Sequence, residues 1–275
     1  MKKDYYVSLR YTDKNADKII QILQEAKIKY EDIRIGVTFC FQFYSDSERA
    51  DDILKLLPKR PIVSAIFSDE EMENANWYTF EATRLDIETS DVDFTYQYSC
   101  PYYTELGIQH RHQKQVNPYI SKRTPKWKNN YNFCSINGGD FSVIFCSDIA
   151  KKMIQNRGIT GIEFMPVVNR KNIPTENVSQ LCFFNILPRN IFTFIGEYRE
   201  IVCPTCGKIN YEFVRPMDDN LRINTELIPD GIDVFSAEMS VQRGWIVPPV
   251  IVSKKFYNLV SKEMKEKHVR FYPIG

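Results

Sequence analysis

Apolar positions along the first sixty-odd residues change period several times, and each change marks an element. Tyr5 to Tyr11 is rich in aromatic and β-branched residues and reads as a strand. Ile19, Ile20, Leu23 and Ala26 then share one face at helical spacing, behind a cap at Asp13 or Asn15. Tyr30 to Ile35 and Val37 to Tyr44 are strand-like again, and Gly36 between them suits a tight hairpin turn. Ser45 and Glu48 stand at capping-box spacing before a helix carrying Ala50, Ile53, Leu54 and Leu57 on one face. Pro58 stops that helix, and Pro61 to Phe67 reads as a buried strand. The order β-α-β-β-α-β predicts a ferredoxin-like split sandwich, four antiparallel strands with two helices on one face. A short acidic helix follows over Ser68 to Asn76, and Trp77 to Ile87 returns to a strand pattern. The expected division is a first domain over 1–88 and a second over 89–275.

The second domain carries an internal repeat. Val143-Ile144-Phe145 and Val250-Ile251-Val252 are strand-like runs separated by 107 positions. At the same offset Ile149, Ala150 and Met153 align with Phe256, Tyr257 and Val260, and Ile162 to Val167 aligns with Val269 to Ile274. Each copy reads strand, capped helix, strand, with Ser147 and Ser253 as N-caps and Gly158 ending the first helix. Ile149, Met153, Phe256 and Val260 are expected to be buried, and the two copies to share a sheet-based core in an α+β domain.

Charge restricts the function classes. The chain of 275 residues has 36 basic and 35 acidic side chains, a net charge of +1. Its overall field therefore does not favour nucleic acid or an anionic membrane, and any such binding must be local. The longest apolar run, Trp245 to Val252, contains two prolines and is far shorter than the roughly 20 residues of a membrane helix. Met1-Lys2-Lys3 opens like a signal peptide, but Asp4 and Arg10 interrupt what would be its apolar core, so a cytoplasmic protein without a membrane partner is expected. The one basic segment is Leu106 to Gly139, which holds no acidic residue and carries Arg111, Lys114, Lys122, Arg123, Lys126 and Lys128 interleaved with Tyr119, Trp127 and Tyr131. Cations beside aromatics suit single-stranded nucleic acid. The same segment suits a solvated loop, or a protein partner with an acidic face.

Seven cysteines, an odd number without regular spacing, argue against a disulfide framework. Cys40, Cys146 and Cys182 sit in apolar runs and read as small buried hydrophobes. Cys203-Pro204-Thr205-Cys206-Gly207 alone has ligand spacing. A closed structural zinc site needs two more ligands, for which Cys100 and His110 or His112 are the candidates. Free thiols on a surface hairpin, or a redox dithiol, are the other readings of this pair. Three histidines, none beside a nucleophile motif, and the lack of the common hydrolase, metalloprotease, phosphate-loop and deaminase patterns point away from an enzyme. Asp230-Gly231-Ile232-Asp233 is first of all a turn signal.

Thr124-Pro125-Lys126-Trp127, Gly161 to Val167, Ser179-Gln180-Leu181, Cys203 to Gly207, Asp233-Val234-Phe235, Val250 to Ser253 and Phe271 to Ile274 together resemble the bacterial double-CxxC-motif proteins related to polymorphic-toxin immunity families. The resemblance spans roughly residues 90 to 275 and leaves the first domain outside. That family has a first Cys-x-x-Cys before its Pro-Lys-Trp segment; here the corresponding stretch is Cys100-Pro101-Tyr102-Tyr103, without the second thiol. The resemblance implies a non-enzymatic cytoplasmic protein that binds and blocks a protein toxin, with a nucleic-acid-binding accessory protein using residues 106–139 as the alternative. Arg111, Arg123, Lys126 and Trp127 are the side chains expected at a partner surface, arginine and tryptophan being frequent hot spots.

Overall fold

A computed structural model describes residues 2–34, 36–58, 62–83, 85–87, 96–97, 114–115, 118, 120, 127, 131–136, 143–183, 185–188, 191–193, 198–202, 209–213, 222–237 and 250–274. The protein is α+β, and its chain divides into two compact units, Met1–Asn74 and Ala75–Gly275.

The first unit runs β1 (Lys2–Arg10), α1 (Ala16–Glu25), β2 (Tyr30–Arg34), β3 (Thr38–Tyr44), α2 (Ala50–Leu56), β4 (Ile62–Ile66) and α3 (Asp69–Asn74). Its four strands lie in the order β2-β3-β1-β4, every neighbouring pair antiparallel. Alternation sets the two faces: Tyr5, Val7 and Leu9 stand opposite Phe43, Phe41 and Phe39 and are buried with Ile19, Ile22 and Leu23 of α1 and Ile53 of α2. Tyr6 and Tyr44, one position out of phase, are exposed. Phe39 is fully buried, so its truncation to alanine costs about 3–5 kcal/mol. The caps differ from expectation. α1 and α2 start behind a left-handed residue, Asn15 or Arg49, without a side-chain cap. Ser45 Oγ instead accepts from the Lys3 amide at 3.0 Å across the sheet. The reciprocal box forms at the next helix, α3, where Ser68 N donates to Glu71 Oε2 at 2.8 Å and Glu71 N to Ser68 Oγ at 3.2 Å.

The second unit contains β5 (Trp77–Ala82), β6 (Leu85–Ile87), β7 (Tyr96–Gln97), β8 (Lys114–Gln115), β9 (Phe133–Ile136), β10 (Ile144–Ser147), α4 (Asp148–Asn156), β11 (Glu163–Val168), β12 (Pro174–Cys182), β13 (Ile186–Leu187), β14 (Phe192–Thr193), β15 (Tyr198–Val202), β16 (Ile209–Phe213), β17 (Arg222–Ile223), β18 (Val234–Ala237), β19 (Val250–Ser253), α5 (Lys254–Tyr257) with a π-helical continuation over Asn258–Glu263, and β20 (Val269–Ile274). Two five-stranded sheets dominate, β11-β12-β10-β9-β6 and β20-β5-β19-β18-β13. They have the same plan. In each, an antiparallel set of four ends on a parallel pair, β6 with β9 or β13 with β18. β5 fills in the second sheet the place that β12 fills in the first, between the two strands that flank the helix. That is why the division falls after Asn74 and not at residue 88: β5 is needed to close the second sheet. Phe80 of β5 meets Phe133 of β9, Phe256 and Phe271, with ring centroids 5.1 to 5.5 Å apart, so both sheets share one aromatic core.

The spacing between the copies is not constant. Ser147 and Ser253, 106 positions apart, are the N-caps, accepting from Ala150 N at 3.2 Å and Phe256 N at 3.3 Å. Cys146 and Val252, also 106 apart, pair with Ser179 and Tyr78, whose partners on the other side, Pro166 and Pro273, are 107 apart. One residue is therefore gained within the second copy between N-cap and closing strand. The π-helical stretch accommodates it, since widening an α-helix locally is how a single extra residue is absorbed. This corrects the burial expected at a uniform offset of 107. Ala150 aligns with Phe256 and Ile154 with Val260, all four buried, whereas Ile149 is 64% exposed and Met153 only half-buried.

The halves also exchange equivalent contacts. Ser147 Oγ donates to Asn132 Oδ1 at 2.7 Å, and Ser253 Oγ donates to Asp233 Oδ1 at 2.9 Å. Asn132 N donates to Glu266 Oε2 of the second half at 2.7 Å, and Asp233 N donates to Thr160 Oγ1 of the first at 2.9 Å. Arg157 and Glu263, 106 positions apart, are ion-paired with each other.

Candidate partner-binding site

Trp127 is held at two points. Its indole Nε1 donates to the Asn177 carbonyl at 2.5 Å, and its ring lies 5.2 Å from that of Tyr131. Tyr131 belongs to a buried cluster with Cys134, Val143, Phe145, Val167 and Val178, against which Trp127 packs half-buried. The β-strand period places these residues inward; Trp127 at their margin presents the rest of its ring to a cavity of about 690 Å³.

Three elements build the cavity wall. The N-terminus of α4 contributes Ser147, Asp148 and Ile149; β12 contributes Pro174, Thr175, Glu176 and Asn177; the turn between β11 and β12 contributes Asn169. That turn is fixed by Asn169 Oδ1, which accepts from Lys171 N at 2.9 Å and Ile173 N at 3.2 Å. Asp148, in the first turn of α4, complements the helix dipole. Asp148 and Glu176 are the charged groups of the wall, and neither has an ion-pair partner among the described residues. Two carboxylates, two carboxamides and an indole thus stand among the groups that line the cavity.

A second polar cluster is structural. Asp233 Oδ2 accepts from Lys255 Nζ at 3.1 Å and from Thr160 N at 3.1 Å, while Lys255 Nζ also donates to the Gly158 carbonyl at 2.8 Å. Asp233 N and Oδ2 thus tie the second half to Thr160 of the first, while Oδ1 holds the Ser253 cap, and its ordinary reading as a turn residue falls short of its role.

Cys40, Cys134, Cys146 and Cys182 are buried free thiols, as expected for Cys40, Cys146 and Cys182. Burial pushes the Cys182 thiol up to about 12, and burial pushes Cys146 up as well, against the pull of Lys151, so neither is a nucleophile near neutral pH.

Of the residues expected at a site, the described structure includes Trp127. Cys100, His110, Arg111, Arg123, Lys126, Cys203 and Cys206 lie outside the described residues. β15 and β16, on either side of the Cys203 to Lys208 stretch, pair antiparallel up to Val202 opposite Ile209. Among the described residues no group of three or more His, Cys, Asp or Glu side chains is placed to hold a metal, and no helix is long and apolar enough to cross a membrane. Nothing in the sequence marks Asp148, Glu176 and Asn177 as parts of one site. Asp148 carries a signal only as a helix-start acid, and nothing local ties it to Glu176; the pairing of Ser147 with Val178 brings them together.

Comparison of the chain with protein-family models gives no match, and comparison with curated proteins gives no significant one.

Proposed function

We propose that this chain is a non-enzymatic cytoplasmic binding protein of the bacterial immunity kind, which neutralises a protein toxin by direct contact through the surface around Trp127. The observation that carries the reading is the anchored, half-exposed indole at the edge of an open cavity. A tryptophan immobilised before binding loses little entropy on contact, which is the physical basis of a hot spot. The first unit, with its β-α-β-β-α-β order and open sheet face, is on this reading a ferredoxin-like module. A structural zinc on Cys203 and Cys206, with Cys100 and His110 as further ligands, belongs to the same proposal; the flanking strand pair supports it by bringing both ends of that stretch together. The nucleic-acid alternative draws no support from the cavity, whose charged groups are carboxylates.

The test is co-expression with the toxin encoded beside this gene in its native genome. Wild-type protein restores growth and forms a stable complex, and Trp127→Ala loses both while retaining the wild-type far-ultraviolet circular dichroism. Failure of the wild type to protect against, or bind, that toxin overturns the reading.

A further inference from the structure

The correspondence between the two halves separates what the fold requires from what the cavity adds. Asn177 in β12 and Asn76 beside β5 occupy equivalent places, since Ser147 pairs with Val178 and Ser253 with Trp77. In the second half the Asn76 carbonyl accepts from Lys254 N at 2.8 Å, which ties the start of the helix to the neighbouring chain. In the first half the Asn177 carbonyl accepts from the Trp127 indole instead. Asp148 stands where the second half has Lys254, and Ile149 where it has Lys255, whose ammonium is engaged by Gly158 and Asp233. At this position the second half closes on a backbone bond from Lys254, whereas the first half carries an acidic residue and an indole beside a cavity.

We propose that this cavity receives an arginine side chain of the protein partner. The inference rests on the binding reading above and specifies which group of the partner enters. An anion would meet Asp148 and Glu176, and a purely apolar group would strip water from both carboxylates without replacing its hydrogen bonds. A cation with several donors satisfies both. Guanidinium is planar and weakly hydrated, stacks on an indole, and directs its five N–H groups outward from its edge toward carboxylates and carbonyls, whereas an ammonium acts as a compact and more strongly hydrated charge. A cavity of about 690 Å³ admits such a side chain with its stem.

The experiment uses the full chain labelled with 5-fluorotryptophan, which gives one fluorine resonance for each of its 3 tryptophans; Trp127→Phe assigns the relevant one. The probes are blocked Gly-Arg-Gly peptide and its lysine and glutamate counterparts. The arginine peptide shifts the Trp127 resonance saturably and binds more tightly than the lysine peptide, and the Asp148→Asn/Glu176→Gln variant binds it about tenfold more weakly. Glu176→Gln alone, at an exposed strand position outside the core, gives a smaller loss in the same direction and keeps the test readable if the double variant fails to fold. Absence of a saturable shift, unchanged affinity in Glu176→Gln, or a lysine or glutamate peptide binding as well as arginine overturns the proposal. The same variants separate it from the reading on which it rests. Undiminished toxin neutralisation by the folded double variant overturns the arginine assignment and leaves the immunity reading standing. Arginine-specific binding by a protein that fails against the toxin supports the cavity assignment and overturns the immunity reading.

Discussion

Replacing Gly161 by alanine tests the junction between the two halves of the second unit. Gly161 has φ +86°, and a Cβ built there lies 1.9 Å from the Val234 carbonyl oxygen and 2.9 Å from its carbonyl carbon. Restoring an ordinary contact of 3.4 Å moves one backbone segment by about 1.5 Å, and both clashing atoms are main chain with no rotamer to yield. The displaced segments are joined by Val234 N to Thr160 O at 3.1 Å, Asp233 N to Thr160 Oγ1 at 2.9 Å and Thr160 N to Asp233 Oδ2 at 3.1 Å. Losing two or three such bonds at about 1 kcal/mol each, with about 1 kcal/mol for forcing alanine into the left-handed region, gives about 3–4 kcal/mol. Gly158 is the internal control: its φ is +58° and nothing lies within 4 Å of a Cβ there, so Gly158→Ala carries only the backbone cost of about 1 kcal/mol. Thermal unfolding followed by near-ultraviolet circular dichroism reads the difference. At about 2–4 °C per kcal/mol for a unit of this size, Gly161→Ala lowers Tm by about 6–16 °C and Gly158→Ala by about 2–4 °C. Equal shifts for the two variants would refute the argument that Val234 sets the limit.

Glu266 supplies a pH test. Burial raises its pKa from 4.5, against the pull of its bonds to the His268 and Asn132 amides and of the His268 charge. The folded state therefore holds its proton more tightly than the unfolded state, and the Glu266 contribution to stability falls as pH rises from about 4.5 through the raised value and is constant above it. Glu266→Gln removes this titration, so its stability relative to wild type rises across that window in urea titrations; a flat or falling difference contradicts the assignment. Metal analysis of the purified chain is expected to find about one zinc bound by thiolates near 2.3 Å, and less in Cys203→Ser/Cys206→Ser; a zinc-free wild type overturns that proposal. Charge reversal of Arg123 and Lys126 is expected to slow association with the cognate toxin and flatten its salt dependence while leaving the fold intact. Unchanged stopped-flow rates would remove these two side chains from the interface.

Local chemistry is legible where one element contains the whole signal. The alternation at Tyr5, Val7, Leu9 and at Phe39, Phe41, Phe43 fixed which face of the first sheet is buried, because successive strand side chains must point to opposite sides. Ser147 and Ser253 were legible as caps because a hydroxyl three residues before an amide needs only the helix start itself. Ser45 is not legible for the converse reason: its hydroxyl has a distant donor, the Lys3 amide, that no spacing reveals.

Tertiary structure decided what depends on pairing between segments far apart in the chain. No local pattern says that Trp77–Ala82 closes a sheet against Val269–Ile274, yet that pairing moves the unit boundary to Asn74. The ungapped repeat at 107 was correct for Pro166 and Pro273 and one residue out for Ser147 and Ser253, since a π-helical turn absorbs an extra residue without altering the hydrophobic character around it. That single position is why an offset of 107 pairs the exposed Ile149 with Phe256, whereas Ala150 and Ile154 are the buried counterparts of Phe256 and Val260. The candidate site follows the same logic. The sequence marked Trp127 as an aromatic within a basic stretch, whereas Asp148 and Glu176 became its neighbours only through the register of β10 on β12, which is set by the sum of many side-chain and backbone contacts and by no residue alone.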